Sequence, residues 1–187
     1  MSDYGHLVLA KRTNDWTSTL TAEITQGYFS HAFILTPTIG DKWLCIEAEV
    51  EGVTASPFES SYQNNPNRDY ILFKVKVSDN QTGINSILSK LETGYGFAQM
   101  IWFLWRFVCS KFGKDIKSQD NWFYKDGTLC SQLAAEYLFS AGLANLFTGF
   151  GQGSISPNDI YKIAKSRPDL FEEVESRISN PNALALY

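Results

Sequence analysis

The spacing of apolar positions changes part-way along the chain, and that change predicts the order of its elements. Up to residue 77 the period is mostly two. "HLVLAKR" reads as a first short strand. "TSTLTAEITQGYF" places Leu20 and Ile24 four apart, as a helix face would, although its threonines are weak helix formers. "SHAFILT" is a β-rich run ended by Pro37 and Gly40. "DKWLCIEAEVEG" alternates, with Leu44, Ile46, Ala48 and Val50 on one face and Trp43, Cys45, Glu47 and Glu49 on the other. The short Pro/Gly connection between these two runs predicts an antiparallel hairpin. "SPFESSYQNNPNR" reads as a polar loop, and "DYILFKVKV" alternates again with Ile71, Phe73, Val75 and Val77 on its core face.

After residue 80 the period becomes helical. Residues 80–92 carry Ile84, Ile87, Leu88 and Leu91 at helix spacing and close at Gly94. Residues 96–112 are apolar nearly all round, Trp102 and Trp105 included, and predict a buried helix. Residues 129–141 align Cys130, Leu133, Ala134, Tyr137, Leu138 and Ala141 on one stripe, and Gly142 stops them. "SPND" at 156–159 is a helix start, with Ser156 as N-cap, Pro157 first and Asp159 third. Strands first and helices after predict an α+β domain with an antiparallel sheet packed against helices.

Composition narrows the class. A chain of 187 residues with 44% hydrophobic and 14% aromatic content fits one filled domain spanning residues 1–187. A net charge of −4 argues against general nucleic-acid binding, which needs a basic face. The run "GFAQMIWFLWRFVCSKFG" is interrupted by Gln99 and Arg106 and falls short of the roughly 20 residues that span a bilayer, so no transmembrane segment is expected. "MSDYGHLVLAKR" does not have the pattern of a signal peptide, which predicts a cytoplasmic or phage-delivered protein. Three cysteines, with no export signal, predict reduced thiols. Two histidines and no CxxC pair argue against a metal site, and "GFGQGS" lacks the lysine of a phosphate loop, so no cofactor is expected.

The chemistry concentrates at Cys130. With Thr128 as N-cap, Cys130 falls in the first turn of its helix, where unpaired N–H groups and the helix dipole favour a thiolate and can receive an oxyanion. His31, opening a strand of Phe, Ile and Leu, is a candidate base. Glu47 and Glu49 on the next strand are candidate acceptors for its second nitrogen. Cys, His and a carboxylate are the components of a thiol acyl-transfer triad. Each residue also has a plainer reading: Cys130 as a packing cysteine, His31 as structural, the glutamates as solvated. Cys109 and Cys45 read as core.

"YFSHAFIL", "CIEAEVEGV", "GTLCSQLAAEYLFSAGL" and "ISPNDIYKIAKS" together resemble the permuted branch of the papain-like NlpC/P60 superfamily, the YiiX-like proteins. In that branch histidine, polar residue and cysteine follow one another in an order reversed from papain by circular permutation. The ordered set covers about residues 5–165, with a C-terminal extension after it. The resemblance implies a circularly permuted papain-like fold, Cys130 as nucleophile, His31 as base and Glu47 as orienting residue, with Glu49 competing for that third role. The family often opens with Gly-Asp where this chain has Gly5-His6, and His6 is given no role. Acyltransferases related to lecithin:retinol acyltransferase carry Asn-Cys-Glu-His-Phe, whereas this chain has Leu129-Cys130-Ser131-Gln132. The expected function is a cysteine hydrolase or peptidase cleaving an amide bond, such as one in a cell-wall peptide, through a thioacyl-enzyme. A lipid-directed acyltransferase or thioesterase is the alternative, kept open by the apolar segment 96–112. A non-catalytic binding or assembly module is the third reading.

Overall fold

The computed structural model describes residues 5–37, 42–94, 105, 109, 128–150 and 154–184. Six strands form one sheet: β1 (His6–Arg12), β2 (His31–Pro37), β3 (Trp43–Glu49), β4 (Gly52–Pro57), β5 (Arg68–Val75) and β6 (Phe171–Arg177). Their order is β4-β3-β2-β1-β5-β6, and every neighbouring pair is antiparallel. The helices are α1 (Trp16–Ile24), α2 (Asn80–Leu88), α3 (Cys130–Leu138), α4 (Pro157–Ser166) and the short α5 (Pro181–Leu184). The expected α+β class and the β2–β3 hairpin are both present.

Side chains alternate across a strand, so one sheet builds two cores. Leu7, Leu9, Ala32, Ile34, Ile46, Ala48, Ile71 and Phe73 meet Ile84 and Ile87 of α2 and Leu133, Ala134 and Tyr137 of α3. On the opposite face Val8, Ala10, Phe33, Leu35, Cys45 and Leu72 pack with Phe58 and Tyr62. Tyr62 belongs to a single π-helical turn, Glu59–Gln63, inside the segment expected to be a polar loop. Its ring lies 4.4 Å from that of Phe33. A buried aromatic of this size contributes about 1.5–3 kcal/mol, so the turn is anchored firmly enough to present its hydroxyl to the sheet.

Several expectations are corrected. β4 and β6 were not expected: β4 opens on Gly52 and ends on Pro57, and β6 is "FEEVESR", whose charges suit an edge strand with one wet face. β6 makes part of the expected C-terminal extension a member of the main sheet. α1 turns its small residues, Ser18 and Ala22, inward and leaves Leu20 39% exposed, the reverse of the expected apolar face. Val50 sits in the turn after β3, Leu88 at the last position of α2 and Leu91 in the turn beyond it, all exposed. The expected helix at 96–112 lies outside the described residues except at two helical positions. Cys109 is buried, as expected of a core residue, whereas Trp105 is 60% exposed instead of buried. Trp102 lies outside the described residues. Among the described residues no helix is long and apolar enough to cross a membrane.

Candidate active site

The site forms where β2 and β3 part. Their ladder runs from Pro37↔Trp43 to Ile34↔Ile46 and stops there. β2 stays paired with β1 as far as Ala10↔His31. Continuing the β2–β3 register would set Phe33 against Glu47 and His31 against Glu49, but those pairs do not form. The first turn of α3, packed under β2 and β3, meets the strands at this opening. His31 and Glu47 belong by alternation to the face of Phe33 and Cys45, and Cys130 to the helical core. The gap in the ladder lets them touch.

His31 Nε2 and Glu47 Oε2 are 3.0 Å apart, with the two side chains only 15% and 5% exposed. Tyr62 donates its hydroxyl to the same Oε2 at 2.7 Å, and Ser56 donates to Oε1 at 2.9 Å. Cys130 is close enough to His31 for each to shift the other's proton affinity, and with Nε2 taken by Glu47, Nδ1 is the ring nitrogen left for the sulfur. Cys130 is 7% exposed. The backbone N–H groups of Ala32 and Ser131 lie on the side of its sulfur and act to hold the thiol down.

Three opposing effects set the charges. Burial pushes the Cys130 thiol up, but the His31 charge and the hydrogen bonds to His31, Ala32 and Ser131 outweigh it and bring the thiol below its ordinary value. Burial would push the imidazole down, yet the charge on Cys130 and the hydrogen bonds to Cys130 and Glu47 raise it to about 10. Burial pushes the Glu47 carboxyl up, and His31, Tyr62 and Ser56 together hold it down at about 2. These shifts all run in the direction of thiolate, imidazolium and carboxylate in a row, which is the state a thiol nucleophile needs.

Local structure explains the placement. The N-cap of α3 is Leu129, not the expected Thr128, whose N–H is held by the Gly94 carbonyl at 3.0 Å. Cys130 is therefore the first helical residue. Gly142, at φ 93°, ends the turn that follows α3, a conformation that suits glycine. Ser156 and Asp159 form the expected capping box at the start of α4. The neighbouring Asn158, 2% exposed, was not singled out in the sequence. Its Oδ1 accepts the Phe29 N–H at 2.9 Å, and its Nδ2 donates to the Phe29 carbonyl at 2.8 Å and to Thr25 Oγ1 at 2.7 Å. These bonds fix the chain two residues before His31. Gly27 is obligatory there, because a Cβ would lie 2.1 Å from the Asn158 carboxamide carbon. The buried asparagine inside a capping box is the signal that could have found it; Tyr62 and Ser56, in a polar-looking stretch, offered none.

Glu49 is turned to a different task. Its Oε1 pairs with the Arg12 guanidinium at 3.2 Å on the surface. Donor atoms of His31, Glu47 and Glu49 lie within 4.8 Å of one another, as a cation site would require. The set does not fit a metal: both Glu47 oxygens already accept hydrogen bonds, three in all, and the arginine neutralises Glu49. Cys45 is fully buried on β3, where burial and the Glu47 charge push its thiol up. His6 packs edge-on against Trp43, away from Cys130.

Beside His31 lies an open cavity of about 260 Å³. Lys11, Arg12 and Arg68 line it with Asp15, Glu49 and Glu51, so its wall carries charges of both signs. Ser18 and Ser30, bonded to each other, form part of the wall.

No protein-family model matches this chain, and no curated protein does. Among solved structures, it is similar to the metalloprotein yiiX from Escherichia coli O157:H7 (DUF1105), with a TM-score of 0.55 and 15% identity over 93% of this chain and 97% of that one. At that identity the likeness is one of fold: this is an α+β protein with a YiiX-like fold.

Proposed function

We propose that this protein is a cysteine hydrolase of the permuted papain-like type that cleaves an amide bond in a polar peptide, such as a cell-wall peptide. The observation that carries the reading is the Cys130–His31–Glu47 row, with a thiol held low and an imidazole held high in a buried setting. The YiiX-like fold supports it, as does the order histidine, carboxylate, cysteine along the chain.

In this mechanism Cys130 Sγ attacks the carbonyl carbon and an S–C bond forms while the π electrons move to oxygen. The N–H groups of the first turn of α3, that of Cys130 among them, meet the oxyanion. His31 gives its proton to the amine nitrogen as the C–N bond breaks. It then takes a proton from water, whose oxygen attacks the thioester and releases acid and thiolate. Glu47 holds the ring so that Nδ1 faces sulfur throughout.

The charged cavity favours a peptide over a lipid, because an acyl chain gains nothing from three cations and three carboxylates. The lipid-directed alternative rests on the exposed Trp105. A purely structural role is disfavoured by energetics: a buried His–Glu pair costs desolvation that an apolar pair would avoid. The metal named for yiiX is not carried over, since the donor set here is already engaged.

The test is hydrolysis of a peptide panel against a phospholipid panel, with Cys130→Ser as blank and EDTA present in parallel. Peptide cleavage that is lost in Cys130→Ser and indifferent to EDTA supports the reading. Fatty-acid release with intact peptides contradicts the substrate class, and loss of activity in EDTA contradicts the metal-free mechanism.

A further inference from the structure

α3, nine residues long, starts without a capping side chain, because Leu129 stands at the N-cap. Gln132 supplies the substitute: its Oε1 accepts the Leu129 backbone N–H at 2.9 Å. That bond fixes which way the amide points, since only the oxygen accepts. Nε2 is the atom left over, held at the end of the helix that begins with Cys130. Gln132 is only 9% exposed, and Nε2 is buried with no hydrogen-bond partner among the described residues. Buried amide donors without partners are rare and cost stability. Capping uses only the amide oxygen and gives the buried Nε2–H nothing to do.

We propose that Gln132 is an oxyanion donor: its Nε2–H binds the carbonyl oxygen of the acyl group that Cys130 attacks. The assignment rests on the cysteine-hydrolase reading above and names a residue which that reading does not require. As the S–C bond forms, the π pair of the carbonyl moves to oxygen, and that oxygen accepts from Nε2 alongside the backbone N–H groups of the first turn. When the leaving group departs with its bonding pair, the C=O bond re-forms and the donor is free again. A donor kept dry and unpaired in the resting protein gains its partner only as negative charge develops, which lowers the barrier rather than merely tightening binding. Cys130 is closed in to a similar degree, so the movement that admits an acyl carbon to sulfur also admits its oxygen to this helix end.

The test needs no knowledge of the natural substrate. p-Nitrophenyl acetate acylates a thiolate through an oxyanion, and iodoacetamide alkylates it without one. Both rates are measured on Cys130 at a pH where labelling has levelled off, so that each reports the full thiolate. Gln132→Glu keeps an oxygen for the Leu129 N–H and removes the donor; Gln132→Met removes both. The ratio of acylation to alkylation is expected to fall about a hundredfold in both variants. Both variants are expected to lose thermal stability, Gln132→Met through the lost bond to the Leu129 N–H and Gln132→Glu through the buried charge, so the ratio and not the melting temperature carries the test. An unchanged ratio in both variants, with wild-type Cys130 acylating normally, overturns the Gln132 assignment and leaves the hydrolase reading standing. A wild-type Cys130 inert to both reagents overturns the hydrolase reading and this assignment with it.

Discussion

Replacing Glu47 by Gln separates the charge of this residue from its shape. The carboxamide oxygen can still face His31 and Tyr62, and its NH₂ can donate to Ser56 Oγ, which Ser61 already approaches at 3.2 Å. What goes is the negative charge. In the folded protein the carboxyl is held at about 2 against an ordinary 4.5, a difference worth about 3 kcal/mol at roughly 1.4 kcal/mol per tenfold change in proton affinity. A depressed folded value means that this stability is present above the unfolded value and drains away as pH falls toward 2. Between pH 5.5 and pH 3 the wild type should lose about 2 kcal/mol through this group alone, and Glu47→Gln should lose none of it. The upper pH is chosen because the histidine is protonated there in both folded and unfolded chains. Urea unfolding of both proteins at both pH values measures the difference. An equal loss in wild type and variant would refute the claim that the His31, Tyr62 and Ser56 bonds hold Glu47 ionised. In turnover, Glu47→Gln should be slower than wild type yet faster than His31→Ala, since Tyr62 and the carboxamide still orient the ring.

Cys130→Ser and His31→Ala should each fold and each lose turnover by several orders of magnitude, and the double variant should be scarcely worse, because members of such a unit do not contribute additively. Glu49→Gln should leave turnover near wild type, since its partner is the exposed Arg12 and a surface pair of this kind is worth about 1 kcal/mol or less; a collapse of turnover would hand the orienting role to Glu49. Asn158→Ala strips Phe29 of two backbone hydrogen bonds and should cost about 2–4 kcal/mol, seen as a melting temperature lower by on the order of 10 °C, with turnover reduced because His31 follows two residues later.

The parts of the fold that follow from one residue's neighbours were legible in the chain. Strands β3 and β5 announce themselves by alternation, β1 and β2 as short apolar, β-rich runs, and the Ser156-Pro157-Asn158-Asp159 start of α4 by its capping chemistry. β4 and β6 were not, because an edge strand with one wet face has no run of apolar residues to count. Glu47 and Glu49 looked alike, both on the less apolar face of one strand. Their difference arises from long-range packing: the turn carrying Tyr62 folds over Glu47, while Arg12 of β1 reaches Glu49. The opening of the β2–β3 ladder, which lets a helix residue meet a strand residue from the other face, is likewise a property of the assembled sheet. Gln132 sat two residues from Cys130 in plain view, but only its orphaned Nε2 sets it apart.

On the proposed reading, His31 holds the Cys130 thiol below its ordinary value. Iodoacetamide labelling of Cys130, read by peptide mass spectrometry from pH 5 to pH 10, tests it in wild type and in His31→Ala. The wild-type rate should reach half its plateau below the ordinary thiol value of 9.0, with Cys45 unlabelled. In His31→Ala the burial that pushes the thiol up is no longer opposed by the imidazolium, so labelling at neutral pH should collapse and recover only in alkali. Labelling of Cys130 that follows the same pH curve with and without His31 would contradict the account.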